Sequence, residues 1–129
     1  MNTNFDFDSV ERLPRKTLKH GALFRRSADG AAGARPTVLL VHGAGHGAWC
    51  WGEWMRLLAA RGYASAALDI RGHGSRRADA VPLATSVADY AADVIEAARA
   101  LSGSGRVILA GHSLGGLVGG SFCGRLSGG

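Results

Sequence analysis

Apolar residues change their spacing along this chain, and the change falls at residue 37. Residues 1–16 follow neither a two-residue nor a 3.6-residue period and read as a loose lead-in. Thr17–Ser27 has weak strand character, enough for one hairpin, and Ala28–Pro36 (ADGAAGARP) is a turn or linker by its Gly, Asp and Pro content. Thr37–Val41 (TVLLV) is then a continuous apolar run with β-branched residues, the pattern of a strand buried on both faces of a parallel sheet. Gly43, Gly45 and Gly47 break it into a loop. Trp51–Arg61 carries apolar residues at 51, 54, 57 and 58, a helical spacing, with Gly62 at the stop position.

Tyr63–Leu68 is a second strand of small residues ending at Asp69, and Ile70–Pro82 is a polar loop. Ser86 can cap the next helix, with Asp89 in its first turn. Val87, Tyr90, Ala91, Val94, Ala98 and Leu101 form that helix's apolar stripe, and Asp89, Asp93 and Glu96 lie off it. Arg106–Ala110 (RVILA) is a third apolar strand, and Gly111–Gly115 turns sharply into a further helix. Strands alternating with helices predict the α/β class: a mostly parallel sheet with helices on both faces. Residues 1–36 form the lead-in and hairpin, and 37–129 belong to one α/β domain.

Composition narrows this little. The chain has 129 residues, 47% apolar and 19% charged, suited to one soluble core. No apolar stretch reaches membrane-spanning length, and the start, MNTNFDFDSVERL, lacks the basic and apolar regions of a secretory signal, so a cytoplasmic location is expected. The net charge is +5, with Arg12, Arg15, Lys16, Lys19, Arg25, Arg26 and Arg35 early in the chain. No aromatic residues interleave with them, so they read as a solvated face, with neither nucleic acid nor membrane as partner. Cys50 and Cys123 lack metal-ligand spacing and secretory context, so no disulfide framework, metal or cofactor is expected. Cys50, between two tryptophans, reads as a packed thiol.

Chemistry enters with Gly111-His112-Ser113-Leu114-Gly115, a G-x-S-x-G pentapeptide that directly follows a buried strand and precedes a helix start. In so tight a turn the serine adopts strained dihedrals and projects its hydroxyl, and the flanking glycines let strand and helix approach. The Leu114 N–H then faces the oxygen that becomes negative during acyl transfer. The loop His42–Ala48 after TVLLV leaves backbone N–H groups unpaired at the top of the sheet, and Ala44 is the natural second donor. His42 reads as a loop brace and His46 as a packed or exposed residue, neither as a proton carrier.

On these residues the chain resembles the α/β-hydrolases. VLLVHGAGHGAWCW is similar to the entrance loop of the small plant methyl-ester esterases and hydroxynitrile lyases, and of related bacterial esterases. LDIRGHGSRR resembles the loop after the following strand, and VILAGHSLGGLV the nucleophile elbow; the resemblance covers residues 37 to 118. It implies an esterase acting on small carboxylic esters without a cofactor. Ser113 would be its nucleophile, with Ala44 and Leu114 as oxyanion donors. Asp69 would shape its loop without being the triad acid, and His73 would come near the cleft at most.

The resemblance also exposes a gap. Family triads run Ser, then acid, then His, yet no Asp, Glu or His follows Ser113. Family members are about twice as long, and residues 111–129 carry eight glycines. The expectation is therefore the N-terminal half of a hydrolase, through truncation, frameshift or fragmentation, and inactive alone. RVILA would lie beside TVLLV as an open apolar edge, which predicts aggregation or molten packing. Two other readings stand beside it. One is a non-catalytic remnant. The other is a dinucleotide-binding oxidoreductase, in which Gly43-x-Gly45-x-x-Ala48 meets a pyrophosphate and Asp69 a ribose, although Trp49, Cys50 and Trp51 crowd that loop.

Overall fold

The computed structural model describes residues 7–30, 35–113 and 115–116. Their order is α1 (Phe7–Glu11), β1 (Arg15–Thr17), β2 (Ala22–Arg26), β3 (Thr37–Val41), α2 (Gly52–Ala60), β4 (Ser65–Asp69), α3 (Val87–Leu101) and β5 (Val107–Gly111), with short 3₁₀ turns at Ala48–Trp51, Gly74–Arg76 and Ser102–Ser104. The strands form one sheet in the order β1-β2-β4-β3-β5. β4, β3 and β5 are parallel, whereas β1–β2 and β2–β4 are antiparallel. The hairpin thus extends the same sheet as the parallel strands, and β3 and β4 are buried along their whole length.

Alternation along the strands divides the core into two layers. Leu23, Leu39, Val41, Ala66 and Leu68 face α3, where Ala91, Val94, Ala97 and Leu101 cover them. Ala22, Phe24, Val38, Leu40 and Ala67 face the other side, against Met55 of α2 and Val10 of α1. The sheet is therefore sandwiched between helices, as its apolar runs require. Among the described residues no helix is long and apolar enough to cross a membrane.

Helix ends follow local chemistry. α2 closes with Gly62 at φ +86, and Tyr63 N–H and Gly62 N–H donate to Leu58 O (2.9 Å) and Ala59 O (3.0 Å), a Schellman pattern. α3 opens with a full capping box: Ser86 Oγ accepts from Asp89 N–H at 3.1 Å, and Asp89 Oδ2 accepts from Ser86 N–H at 2.9 Å.

Two features depart from the sequence pattern. The lead-in contains the single turn α1, too short to show a period and held by burial of Val10 against the Ala48–Trp51 region, and the hairpin's first strand starts within it, at Arg15 and not Thr17. Asp93, placed off the apolar stripe of α3, is buried. It accepts from Arg71 N–H (2.9 Å) and pairs with its guanidinium through Nε and Nη2 (2.8 Å at the closest), tying α3 to the loop after β4. A buried carboxylate is tolerated when so fully paired.

The sheet's two borders differ. β1 carries Arg15 and Lys16 exposed, charges that discourage strand addition. β5 borders the sheet among the described residues, and its Ile108 is 46% exposed. Ile108→Lys is expected to reduce concentration-dependent self-association severalfold in sedimentation velocity. Equal association of variant and parent would exclude β5 as the contact.

Candidate functional site

From β3 the chain passes to β4 on one side and then, through α3, to β5 on the other. The direction of winding reverses between β3 and β5, and loops leaving the carboxyl ends of two such strands part to form a crevice. The loop after β3 starts at His42 and the loop after β5 at His112, whose N–H donates to Val41 O at 3.1 Å. Across this crevice the loops touch. A Cβ added to Gly43 would lie 3.2 Å from Ser113 Cβ and 3.2 Å from His112 O.

Ser113 has φ +56, the one positive value outside glycine among the described residues. L-residues avoid this region, so the turn around Ser113 is strained and must be held from both sides. Close packing supplies the hold. A Cβ on Gly115 would meet Val41 O at 2.3 Å, and one on Gly111 would meet Gly115 O at 2.4 Å. Gly115 N–H and Gly116 N–H return to His112 O (2.9 Å) and Ser113 O (3.0 Å). Ser113 is exposed, and no described residue hydrogen-bonds its hydroxyl. Leu114, the other expected donor, lies outside the described residues.

Opposite, Gly43 is buried and Ala44 exposed, and among the described residues Ala44 N–H has no partner. Two buried side chains tie this loop to the loop after β4. His42 Nε2 accepts from Ile70 N–H at 3.2 Å, so the proton sits on Nδ1, which donates to Gly43 O at 2.7 Å. Burial lowers the His42 pKa to about 4. The Gly43 carbonyl works against that, and the neighbouring His73 adds to it. With both ring nitrogens engaged, neutral His42 is a brace and not a base. Asp69 is the second tie: Oδ1 accepts from Ala48 N–H at 2.6 Å, while Oδ2 accepts from Ser75 N–H (2.9 Å) and Ser75 Oγ–H (2.6 Å).

The remaining candidates sit at the rim. His73 Nδ1 is 2.9 Å from Arg71 O, and its ring stands 5.2 Å from that of His42 and 6.2 Å from that of Tyr90. His46 is exposed beside Trp49 and His112. Burial pushes the Cys50 thiol up to about 11, an inert, packed cysteine. One cavity of about 510 Å³ is lined by His46, Trp49, His73 and Arg77; another of about 540 Å³ is lined by Val38, Leu40, Trp51, Trp54 and Ala110. Among the described residues no three His, Cys, Asp or Glu group closely enough to hold a metal. The dinucleotide reading meets two obstacles. Asp69 is buried with both oxygens engaged, so it has none to offer a ribose, and it occupies the Ala48 N–H that opens the turn. What the sequence reading missed is the pairing itself: Asp69 with Ala48, and Arg71 with Asp93. Each partner lies about twenty residues away on another loop or helix, beyond any local period.

Comparison with known proteins adds the lineage. A sequence family described as the alpha/beta hydrolase family matches residues 38–126. The probable esterase PIR7A of Oryza sativa is 42% identical over 81 residues, 61% of this chain and 30% of that protein. Salicylic acid-binding protein 2 of Nicotiana tabacum is 42% identical over 79 residues, with the same shares. A crystal structure of an epoxide hydrolase from Vigna radiata superposes with a TM-score of 0.71 at 26% identity, covering 89% of this chain and 35% of that one. The chain thus spans about a third of the length of the relatives it matches.

His42 gives this site a pH signature. The folded chain resists protonating it until about pH 4, whereas the unfolded chain protonates it near 6.5. Between these values the unfolded state binds more protons, so stability is complete above pH 6.5 and falls as pH drops toward 4. The His42 share of that loss is roughly 3 kcal/mol. His42→Asn does not titrate, and urea unfolding at pH 7 and pH 4.5 should show a shallower acid loss in that variant. Parallel losses in both proteins would refute it.

Proposed function

The chain belongs to the alpha/beta hydrolase family, and from that premise we propose that it carries the nucleophile of a carboxylic-ester hydrolase, with Ser113 in that role. The observation that carries the reading is the strained, exposed Ser113 at the end of β5, packed against Gly43. Strain of this kind is stored where a side chain must be held for reaction. Ser113 Oγ attacks the ester carbonyl carbon, and the carbonyl π electrons move to oxygen. The resulting oxyanion is met by the Ala44 and Leu114 N–H groups. Collapse of the tetrahedral intermediate expels the alcohol, which takes a proton, and leaves an acyl-serine for water to hydrolyse.

Serine chemistry also bears on the two kinds of relative. Opening an epoxide with Ser113 would leave an ether that water does not cleave, so the serine would not be regenerated. An acyl-serine is hydrolysable. The esterase name of the Oryza sativa relative and the chemistry of the side chain therefore agree, and small esters, methyl esters and lactones among them, are the proposed substrates.

No Asp, Glu or His follows Ser113 in this sequence, and neutral His42 has no free nitrogen. For this chain we propose that the serine proton goes to solvent, with the acceleration that positioning and oxyanion donors provide, roughly 10³–10⁴-fold over water. With p-nitrophenyl acetate the expected result is slow, single acetylation of Ser113 without steady turnover, abolished in Ser113→Ala. Mass spectrometry and nitrophenol release measure both. Acetylation or release that persists at full rate in Ser113→Ala would sink the assignment.

A further inference from the structure

We propose that His42 is a positioning residue that fixes the direction of the Ala44 N–H, through its hydrogen bond to the other end of the same peptide group. The proposal rests on the serine-hydrolase reading for its chemistry and on the loop geometry for its substance. Gly43 C=O and Ala44 N–H belong to one peptide plane. No cis peptide bond occurs among the described residues, and in a trans peptide these two groups point in opposite directions. Holding the carbonyl inward therefore turns the N–H outward.

Two donors hold that carbonyl: His42 Nδ1–H at 2.7 Å and His46 N–H at 3.2 Å. The imidazole is itself held, because its Nε2 accepts from Ile70 N–H at 3.2 Å. That bond selects the neutral tautomer with the proton on Nδ1, the one able to donate to Gly43 O. A proton on Nε2 would face the Ile70 N–H and break the strut. Ala44 is exposed with its N–H free among the described residues, and Gly43 lies against Ser113. The residue whose carbonyl is held is thus the one packed against the serine, and the N–H of that peptide, turned the other way, is open to solvent. A freely rotating peptide would spend its time hydrated in other orientations, and a donor not aimed in advance contributes little to an oxyanion.

The two nitrogens can be tested apart. Asn places its amide N–H where Nδ1 stood and keeps the Gly43 bond. Gln places its amide where Nε2 stood, keeps the Ile70 bond and loses the Gly43 bond. Both variants remove the same aromatic packing, so a merely structural role moves them together. Labelling of Ser113 by a fluorophosphonate is expected to be at least about tenfold faster in His42→Asn than in His42→Gln, a fraction of the full effect of losing an oxyanion donor. Equal rates in the two variants would overturn the proposal. A second readout needs no reactivity: the residual dipolar coupling of the Ala44 N–H reports that bond's orientation by NMR. It should match wild type in His42→Asn and differ in His42→Gln. If wild type fails to label, the nucleophile reading falls and the coupling alone decides; an unchanged coupling in His42→Gln then rejects the positioning role.

Discussion

Everything at the crevice depends on one close approach, the contact of Gly43 with Ser113. β3 and β5 are neighbours in the sheet, paired in register from Thr37 with Val107 to Val41 with Gly111. Their loops therefore leave the sheet at the same height, and only residues without bulk let them meet. Gly43 does so on one side and Gly111 and Gly115 on the other, where any Cβ would strike backbone. Ser113 is squeezed into the left-handed region by the turn between them. Its exposure, its strain and its nearness to Gly43 all follow from that geometry.

A contact this tight would not survive in flexible loops, and the fold ties them down with buried polar groups. Asp69 and His42 each span from the loop after β3 to the loop after β4, and Arg71 with Asp93 fixes that second loop to α3. Each of these groups is held by its partners: both oxygens of each carboxylate accept hydrogen bonds and the imidazole uses both nitrogens. Their burial would be expensive if any partner were missing. Stability and site geometry are therefore the same set of bonds here, seen from two sides.

The sheet was legible in the sequence because its strands are short continuous apolar runs that only a doubly covered sheet accommodates. TVLLV, YASAAL and RVILA fall within two residues of β3, β4 and β5. The helices were legible from Ser86, Asp89 and Gly62, whose capping chemistry is local. α1 and the burial of Asp93 were not, because both are decided by partners distant in the chain: Val10 by the second core layer and Asp93 by Arg71. At the site, the pentapeptide and the glycine loop announced their places through sterics that a sequence displays. His42 was legible as a loop brace, but its tautomer was not, since that depends on a backbone N–H contributed by Ile70, twenty-eight residues away.

The central claim is that the two loops converge to make Ser113 the reactive residue of this chain. Peptide mapping after treatment with a fluorophosphonate tests it directly, with Gly43→Val as the wedge, since its side chain must displace Ser113 or the turn around it. The account predicts one stoichiometric adduct, on Ser113, in the wild-type chain, and its loss in Gly43→Val while circular dichroism stays that of the folded sheet. An adduct on another residue, or equal labelling of Ser113 in the wedged variant, would contradict it.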